Sequence, residues 1–416
     1  MRITYLHQYY NNTSMKGGTR SYEFARRLVK RGHQVNVITS WRDGGKGNDW
    51  FETVDEGINV HWLPINYSNN MSFKVRFFAF LKFAFRSAKK AASIESDIVF
   101  ATSTPLTIAL PSIWAKFRLG VPLVFEVRDL WPELPIAMGA LPNPILRWGA
   151  KILEKFAYYN SEAVVALSPG MKNGVISCGY PKKRVAVIPN SSDIELFEVD
   201  PSVGIEFRGK RPWLDNSPLL LYAGTFGAIN GVSYLVDLAF ELEKIGSNVK
   251  ILAIGDGAEY KLVVNQAENL GLLNNNIFFE KGMSKSEIVS AFSAATMASA
   301  LFIDKPEMQA NSANKFFDAL AAGKPLLINY GGWMHEIVSK SACGIAAWQS
   351  ELDQVAAEIN HKMNDAKWLS LASESSKGLA HRKFDRDSLS KKIALILESV
   401  TSNAILNPED IAPDDF

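Results

Sequence analysis

The sequence predicts an α/β protein made of two doubly wound domains in tandem, and three observations predict it. Its 416 residues exceed what one ordinary core accommodates, so length alone points to two domains. Short continuous apolar runs alternate with stretches of helical spacing, as in parallel sheets covered on both faces. The alternation then restarts after Ser191–Pro218, a segment that mixes charge, Pro and Gly without a period.

In the first half, Arg2–Leu6 is the opening strand. Gly17-Gly18 follows, Tyr22–Arg31 has helical spacing, and Gly32-His33 ends that helix ahead of the β-rich Gln34–Ser40. Ile58–Leu63, Asp97–Thr102, Pro122–Val127, Ala163–Leu167 and Val185–Pro189 are further buried-strand candidates. In the second half, strands are expected at Pro218–Ala223, Val249–Ile254, Asn276–Glu280, Met297–Leu301, Pro325–Ile328 and Gly344–Ala347. Helices are expected at Val232–Ile245, Glu259–Leu270, Ser286–Ala294, Asn314–Ala322 and Leu352–Met363. Ligands on such sheets bind beyond the carboxyl ends of the strands, so two facing domains would form a cleft there.

Composition narrows the class. The hydrophobic fraction of 47% and charged fraction of 21% are those of a soluble globular protein. A formal charge of +2 implies no partner by itself, so any electrostatic targeting must come from local clustering, and no nucleic acid is expected. Two cysteines, Cys178 and Cys343, offer neither a disulfide framework nor metal-ligand spacing, and suit a reducing compartment. No signal peptide or transmembrane run is expected. Asn407–Phe416, with four acids and two prolines, is expected to be disordered.

Several segments carry chemical potential at strand ends. Gly17-Gly18 would let backbone amides face a phosphate or a ring, or would simply turn the chain. LLYAGTFGAING places Gly224, Gly227 and Gly231 in a strand-to-helix turn without the Gly-Lys-Ser/Thr of a P-loop. IGDG places Asp256 in a tight turn, where an Asx turn competes with a ligand role. EKGM places Gly282 where backbone could meet a flat base.

NSANKFFDALAAGKP is the most informative stretch. Asn314 opens a helix whose free N–H groups and dipole suit a diphosphate. Lys315 and Asp318 lie three apart on one face, and Asp318 could accept hydrogen bonds from two vicinal ribose hydroxyls. The alternative is an amphipathic helix whose charges only solvate. EVRDLWPE sets Arg128 and Asp129 at another strand end. There Arg128 could stabilise a leaving diphosphate and Asp129 could orient it or contact an acceptor, or the charges could pair structurally.

Met71–Ala92 holds six Phe, six Lys or Arg and no acid. On a helical wheel Phe73, Phe77, Phe78, Phe80, Phe83 and Phe85 cover one arc, with Lys82, Arg86 and Lys89 opposite. That pattern suits a membrane interface with anionic lipid, contacted through Phe77, Phe80, Lys82, Arg86 and Lys89. A core helix with snorkelling cations is the alternative.

RRLVKRGHQVNVITS, IPNSSDIELF, YAGTFG, IGDG and NKFFDALAAGKP, in that order, resemble the retaining family-4 glycosyltransferases of GT-B fold over nearly the whole chain. EVRDLWPE and the Phe-rich basic segment look most like the branch that builds bacterial O-antigen, capsule or colanic acid, which includes putative L-fucosamine transferases. The resemblance implies two facing Rossmann-like domains with an interdomain cleft. The first, 1–195, would hold the acceptor and the second, 196–384, the nucleotide-sugar donor. A helix at 385–403 would return to the first domain, ahead of an acidic tail at 404–416. It further implies metal-independent transfer with no cofactor, from a UDP-sugar to a polyprenyl-pyrophosphate-linked saccharide. Configuration would be retained, and the enzyme would sit at the cytoplasmic face of an anionic membrane. The implied catalytic residues are Arg128, Asp129 and Lys315. The implied substrate contacts are Gly17, Gly18, Arg20, Asn190, Gly224, Thr225, Gly227, Asn230, Asp256, Gly282, Met283, Ser312, Asn314 and Asp318. Four positions depart from the family pattern. Ala310 stands at the first of its paired acids, with Glu307 a possible substitute, and Asp318 at the second. Thr225 and Asn230 replace its diphosphate-binding Arg and Lys. Arg128 replaces its frequent His, so electrostatic help is expected there, since Arg is almost never a general base.

Overall fold

A computed structural model describes every residue except 16, 68–70, 72, 192, 403–406 and 414–416, and the side chain of Phe73. Parts of the basic segment and of the acidic tail thus lie outside the described residues. The chain divides into two compact units. One comprises Met1–Pro189 together with the described residues from Asp387 onward, and the other is Asn190–Arg386.

The first unit is built on eight strands: β1 (Arg2–Leu6), β2 (Gln34–Trp41), β3 (Phe51–Asp55), β4 (Ile58–Pro64), β5 (Ile98–Thr102), β6 (Leu123–Val127), β7 (Ala163–Ala166) and β8 (Val185–Val187). They order as β3-β4-β2-β1-β5-β6-β7-β8. All pairings are parallel except β3 with β4. Strand β3, FETVD, lies at the edge with mostly exposed side chains, so it lacks the apolar run that marks the others.

Among the described residues, six α-helices connect these strands: α1 (Arg20–Lys30), α2 (Phe73–Ser93), α3 (Ala109–Leu119), α4 (Glu133–Ala137), α5 (Pro144–Tyr159) and α6 (Pro169–Ser177). Right-handed crossovers fix their sides. The chain steps one way through α1 and the opposite way through α2, α3 and α5, which therefore share the other face of the sheet. Phe24 and Leu28 of α1 pack with Ile3, Tyr5, Val35 and Val37 on the first face.

The second unit has six parallel strands, β9 (Leu219–Ala223), β10 (Lys250–Ile254), β11 (Ile277–Glu280), β12 (Met297–Ala300), β13 (Leu326–Ile328) and β14 (Gly344–Ala346), ordered β11-β10-β9-β12-β13-β14. Its helices are α7 (Ile194–Phe197), α8 (Pro201–Gly209), α9 (Tyr234–Lys244), α10 (Tyr260–Asn269), α11 (Lys285–Ala294), α12 (Asn314–Ala321), α13 (Trp333–Ser341), α14 (Leu352–Met363) and α15 (Ala366–Leu379).

The chain then adds α16 (Arg386–Thr401), whose Leu389, Ile393 and Leu397 join the α1 face of the first unit. The expected disorder of the tail does not hold for its described part. Helix α17 (Pro408–Ile411) packs against β8, with Ala412 fully buried and its carbonyl accepting from the Val187 amide at 2.9 Å. Glu409 takes the ammonium of buried Lys172 at 3.0 Å, which gives this acidic segment a reason to be ordered.

Candidate functional site

Each sheet reverses its strand order at one point, and ligands of α/β sheets bind beyond the strand carboxyl ends at such a point. In the first unit the reversal lies between β1 and β5, and in the second between β9 and β12. Each reversal carries a cation.

In the second unit that cation is Lys315, in the first turn of α12. Its Nζ donates to the Tyr222 hydroxyl, at the end of β9, at 3.2 Å. The amine lies 4.6 Å from the Tyr222 ring centre and 5.3 Å from that of Phe302, just past β12. Asn230, with its amide oxygen turned to the lysine, accepts from Nζ at 3.1 Å and donates to the Thr225 carbonyl at 3.0 Å. The Tyr222 hydroxyl donates to the same carbonyl at 2.8 Å. All these partners are neutral, and no carboxylate forms an ion pair with Lys315 among the described residues. Burial without a counter-charge disfavours the ammonium and pushes its pKa down to about 7. Gly224 leaves the space open: a Cβ there would stand 3.2 Å from the tyrosine hydroxyl and 3.6 Å from Nζ.

Helix α12 begins beside this lysine. Asn314 is exposed at its first position, and the residue before it, Ala313, supplies no side-chain cap to the first N–H groups. Asp318, one turn on, accepts from Lys285 Nζ at 3.1 Å through Oδ2. Lys285 is held in place because it opens α11, whose start is fixed by a reciprocal capping box between Ser284 and Glu287. Lys285 was not among the expected site residues, although Ser-Lys-Ser-Glu carries the capping-box spacing in the sequence.

In the first unit the cation is Arg128, beyond β6. Its amide donates to Ser103 Oγ at 2.9 Å, and Nη1 lies 3.1 Å from Nε2 of His7, the residue after β1. The guanidinium has only donors, so Nε2 must accept and the His7 proton sits on Nδ1, 2.8 Å from Ser21 Oγ. Burial, Arg128 and Arg42 all hold His7 well below its usual pKa, so the ring is neutral. His7 too was absent from the sequence expectations; its signal is a lone His at the carboxyl end of the first strand. Asp129 is half-buried and accepts from Thr104 Oγ1 at 3.0 Å. Burial raises its pKa.

Residues 17–191 match the glycosyl transferase 4-like domain, and residues 205–377 match the glycosyl transferases group 1 family. The two matches lie in succession and together span most of both units. The chain is a glycosyltransferase of GT-B type. It is 21% identical over 381 residues to an uncharacterized glycosyltransferase of Methanocaldococcus jannaschii, covering 88% of this chain and 89% of that one. It is 23% identical to the putative colanic acid biosynthesis glycosyl transferase WcaI of Escherichia coli, over 60% of this chain and 65% of that one. Among solved structures, Anabaena HepE in complex with UDP and glucose superposes with a TM-score of 0.73 at 19% identity, over 96% of this chain and 100% of that one.

Other expected site residues of this glycosyltransferase have structural duties. Arg20 is buried, and its guanidinium donates to Glu126 Oε1 at 3.0 and 2.8 Å and to the Pro189 and Ile188 carbonyls at 2.6 and 2.8 Å. Thr102 completes the cluster by donating to Glu126 Oε2 at 2.6 Å. Arg20 is therefore a core ion pair, corrected from a substrate contact. Asn190 and Ser312 bind each other: the Asn190 amide N–H donates to Ser312 Oγ at 3.0 Å and its side chain to the Ser312 carbonyl at 2.6 Å. Asp256 is exposed, accepts from the adjacent Gly257 amide at 2.8 Å and lies 3.7 Å from Lys281 Nζ.

The glycines differ in what they permit. Gly17, at φ +126°, lies against Asn11, whose side chain also donates to the Gly18 carbonyl at 3.3 Å. A Cβ on Gly227 would lie 3.2 Å from the Asn230 side chain. Gly282 is exposed with open space around it, beside half-exposed Met283.

The expected membrane arc of α2 is corrected as well. Phe80 is 5% exposed and packs against Tyr9 and Tyr67, so it cannot meet a lipid surface. Phe83 is buried with it. Phe78, Lys82, Phe85 and Lys89 are all exposed, and their i, i+4, i+7, i+11 spacing makes one outward stripe. Phe77 and Arg86 flank that stripe, partly exposed. The cations thus share the outward face with two phenylalanines instead of opposing them.

Proposed function

We propose that this glycosyltransferase moves a sugar from a UDP-linked donor onto a polyprenyl-pyrophosphate-linked saccharide during assembly of a bacterial surface polysaccharide. The observation that carries the donor half is Lys315: a half-buried amine with neutral partners, at a topological switch point, beside an uncapped helix start. A diphosphate is the ligand such a place favours, because it restores the ammonium and accepts from free N–H groups. HepE, solved with UDP-glucose, and the colanic acid enzyme by its name, lend the nucleotide and the pathway class.

Transfer proceeds with retention of configuration and without a metal. The acceptor hydroxyl attacks the anomeric carbon on the face the diphosphate leaves. The glycosidic C–O bond to phosphate breaks, the new C–O bond forms, and the acceptor proton passes to the departing phosphate oxygen. Lys315 stabilises the charge that develops on the diphosphate. Asp318 binds the ribose, with Lys285 yielding one carboxylate oxygen. Arg128 supplies positive potential on the acceptor-binding unit, where Asp129 contacts the acceptor.

A panel of nucleotide sugars, each incubated with and without a polyprenyl-pyrophosphate saccharide and in excess chelator, tests this reading. Product that forms only with acceptor, and persists in chelator, supports it. An epimerised donor formed without acceptor would overturn it, as would donor binding with no turnover.

A further inference from the structure

Helices α2, α3 and α5 share one face of the first sheet, and α3 packs beside both others. Their outer surface is unusual for a domain exterior. Phe78 and Phe85 on α2, Trp114 and Phe117 on α3, and Ile145 and Trp148 on α5 are each between 56% and 74% exposed. Isolated exposed apolar residues are ordinary; six large ones on three neighbouring helices mark a contact surface. Two are Trp, whose amphipathic ring favours a membrane–water boundary.

Charge decides the occupant. The three helices, FKVRFFAFLKFAFRSAKKAAS, ALPSIWAKFRL and PILRWGAKILEKFAYY, carry eleven Lys or Arg and one acid, Glu154, which is buried. The whole chain holds 45 basic and 43 acidic residues, so this face concentrates positive charge far beyond the average. Three of the cations have acidic neighbours: Lys90 with Glu52 at 2.8 Å, Lys116 with Glu162 at 2.7 Å and Arg86 with Asp49 at 3.8 Å. Lys82, Lys89, Lys151 and Lys155 are exposed. A second copy of the chain would bring the same positive surface against this one, which repulsion disfavours. A negatively charged bilayer satisfies both the apolar and the cationic demand. No described helix is long and apolar enough to cross a membrane, so the contact is with the surface.

We propose that α2, α3 and α5 together form a docking face for an anionic lipid bilayer, with Trp114, Phe117 and Trp148 inserted and the lysines against headgroups. This deepens the lipid-linked acceptor reading, and it rests on that reading only for its purpose. Helix α5 is well built for the role: Asn143 caps it, accepting from the Ile145 amide, and Pro144 fixes its first turn. Its Trp and Ile are thereby presented from a rigid start.

The test is co-sedimentation of the full chain with sucrose-loaded vesicles, either phosphatidylcholine alone or phosphatidylcholine with about one-third phosphatidylglycerol. Binding to the anionic vesicles is expected, reduced at high salt. Trp114→Ser/Phe117→Ser/Trp148→Ser, with its circular dichroism and melting curve matching the parent, should bind about tenfold or more weakly. So should Lys82→Glu/Lys89→Glu/Lys151→Glu. Equal binding to both vesicle types, no vesicle binding at all, or unchanged binding by the folded triple variants would overturn the proposal. So would a dimer of the parent chain that the Ser variant dissolves. Transfer to a short-prenyl acceptor dispersed in detergent separates this from the functional reading. If that activity persists while vesicles are not bound, the docking face falls alone; if vesicles are bound and no transfer occurs, the function falls alone.

Discussion

Nη1 of Arg128 donates to Nε2 of His7 at 3.1 Å, and this contact fixes the neutral ring with its proton on Nδ1. His7 thereby acts as an acceptor that aims the guanidinium without neutralising it. A carboxylate in its place would cancel the positive potential that the proposed chemistry needs.

Arg128→Ala is accordingly expected to lower kcat by about 10²- to 10³-fold, the usual range for losing one electrostatic stabiliser, with donor affinity nearly unchanged. His7→Leu should lower kcat by about tenfold, through a less well aimed guanidinium, and His7→Gln should recover part of the loss by restoring an acceptor. Steady-state kinetics paired with donor titration calorimetry checks all three. Near-normal turnover by Arg128→Ala would remove the residue from the mechanism.

Lys315 makes donor binding a proton-coupled event. Its folded pKa is lowered to about 7 by burial, below the ordinary lysine value of 10.5. At pH 8.5 the free protein therefore holds mostly neutral amine, and a bound diphosphate should return it to ammonium. Calorimetric titrations in buffers of different ionisation enthalpy are expected to show uptake of close to one proton per donor at that pH, falling toward zero near pH 5. Lys315→Met should abolish the uptake and weaken binding by about tenfold or more. For stability the sign is the reverse of a salt-bridged lysine. The cost of burying the charge is fully present below pH 7 and is relieved as pH rises toward 10.5, so the Met variant should gain most at low pH.

Much of this was legible in the residues because parallel strands buried on both faces read as apolar runs. Thus β1, β6 and β9 announce themselves, whereas β3, exposed at an edge, does not. Gly224, Asn230 and Lys315 were legible because chain order places them at strand and helix ends, and the structure brings them together. Arg20 was misread because its buried partner Glu126 is 106 positions away, and pairing across strands leaves no local spacing to detect. His7 was missed for the same reason. The outward stripe of α2 depended on which Phe face the sheet accepts, and the burial of Phe80 and Phe83 by neighbouring elements decides that. The described tail orders because Glu409 meets Lys172, a partner 237 positions earlier.

The Arg20–Glu126 pair predicts a stability effect with no binding effect. Arg20→Ala leaves a fully buried carboxylate without its cation, which costs about 3–5 kcal/mol. Urea unfolding should show a lower midpoint with little change in slope. Arg20→Met/Glu126→Leu is expected to recover much of the loss, since an apolar pair of similar volume removes the stranded charge. Donor affinity of the folded fraction should match the parent in both. A selective loss of donor binding by Arg20→Ala at parental stability would restore Arg20 as a ligand.

Two glycines at the carboxyl edge of the second sheet should respond in opposite ways. Gly255 has φ +156°, and a Cβ there would overlap the Gly224 carbonyl oxygen, so the β10 loop passes the β9 loop only as glycine. Gly255→Ala must displace the loop that carries Gly224 and Thr225. It is expected to lower stability by about 1–3 kcal/mol and to weaken donor binding together with it. A Cβ on Gly282 would meet nothing within 4 Å, so Gly282→Ala should change stability by no more than about 0.5 kcal/mol. Any effect of that substitution on donor affinity then reports contact with the ligand itself. Thermal melts and donor titrations of both variants give the comparison. If Gly282→Val also leaves affinity untouched, the flat base does not rest on Gly282 and must be sought against the partly exposed Met283 or Tyr260.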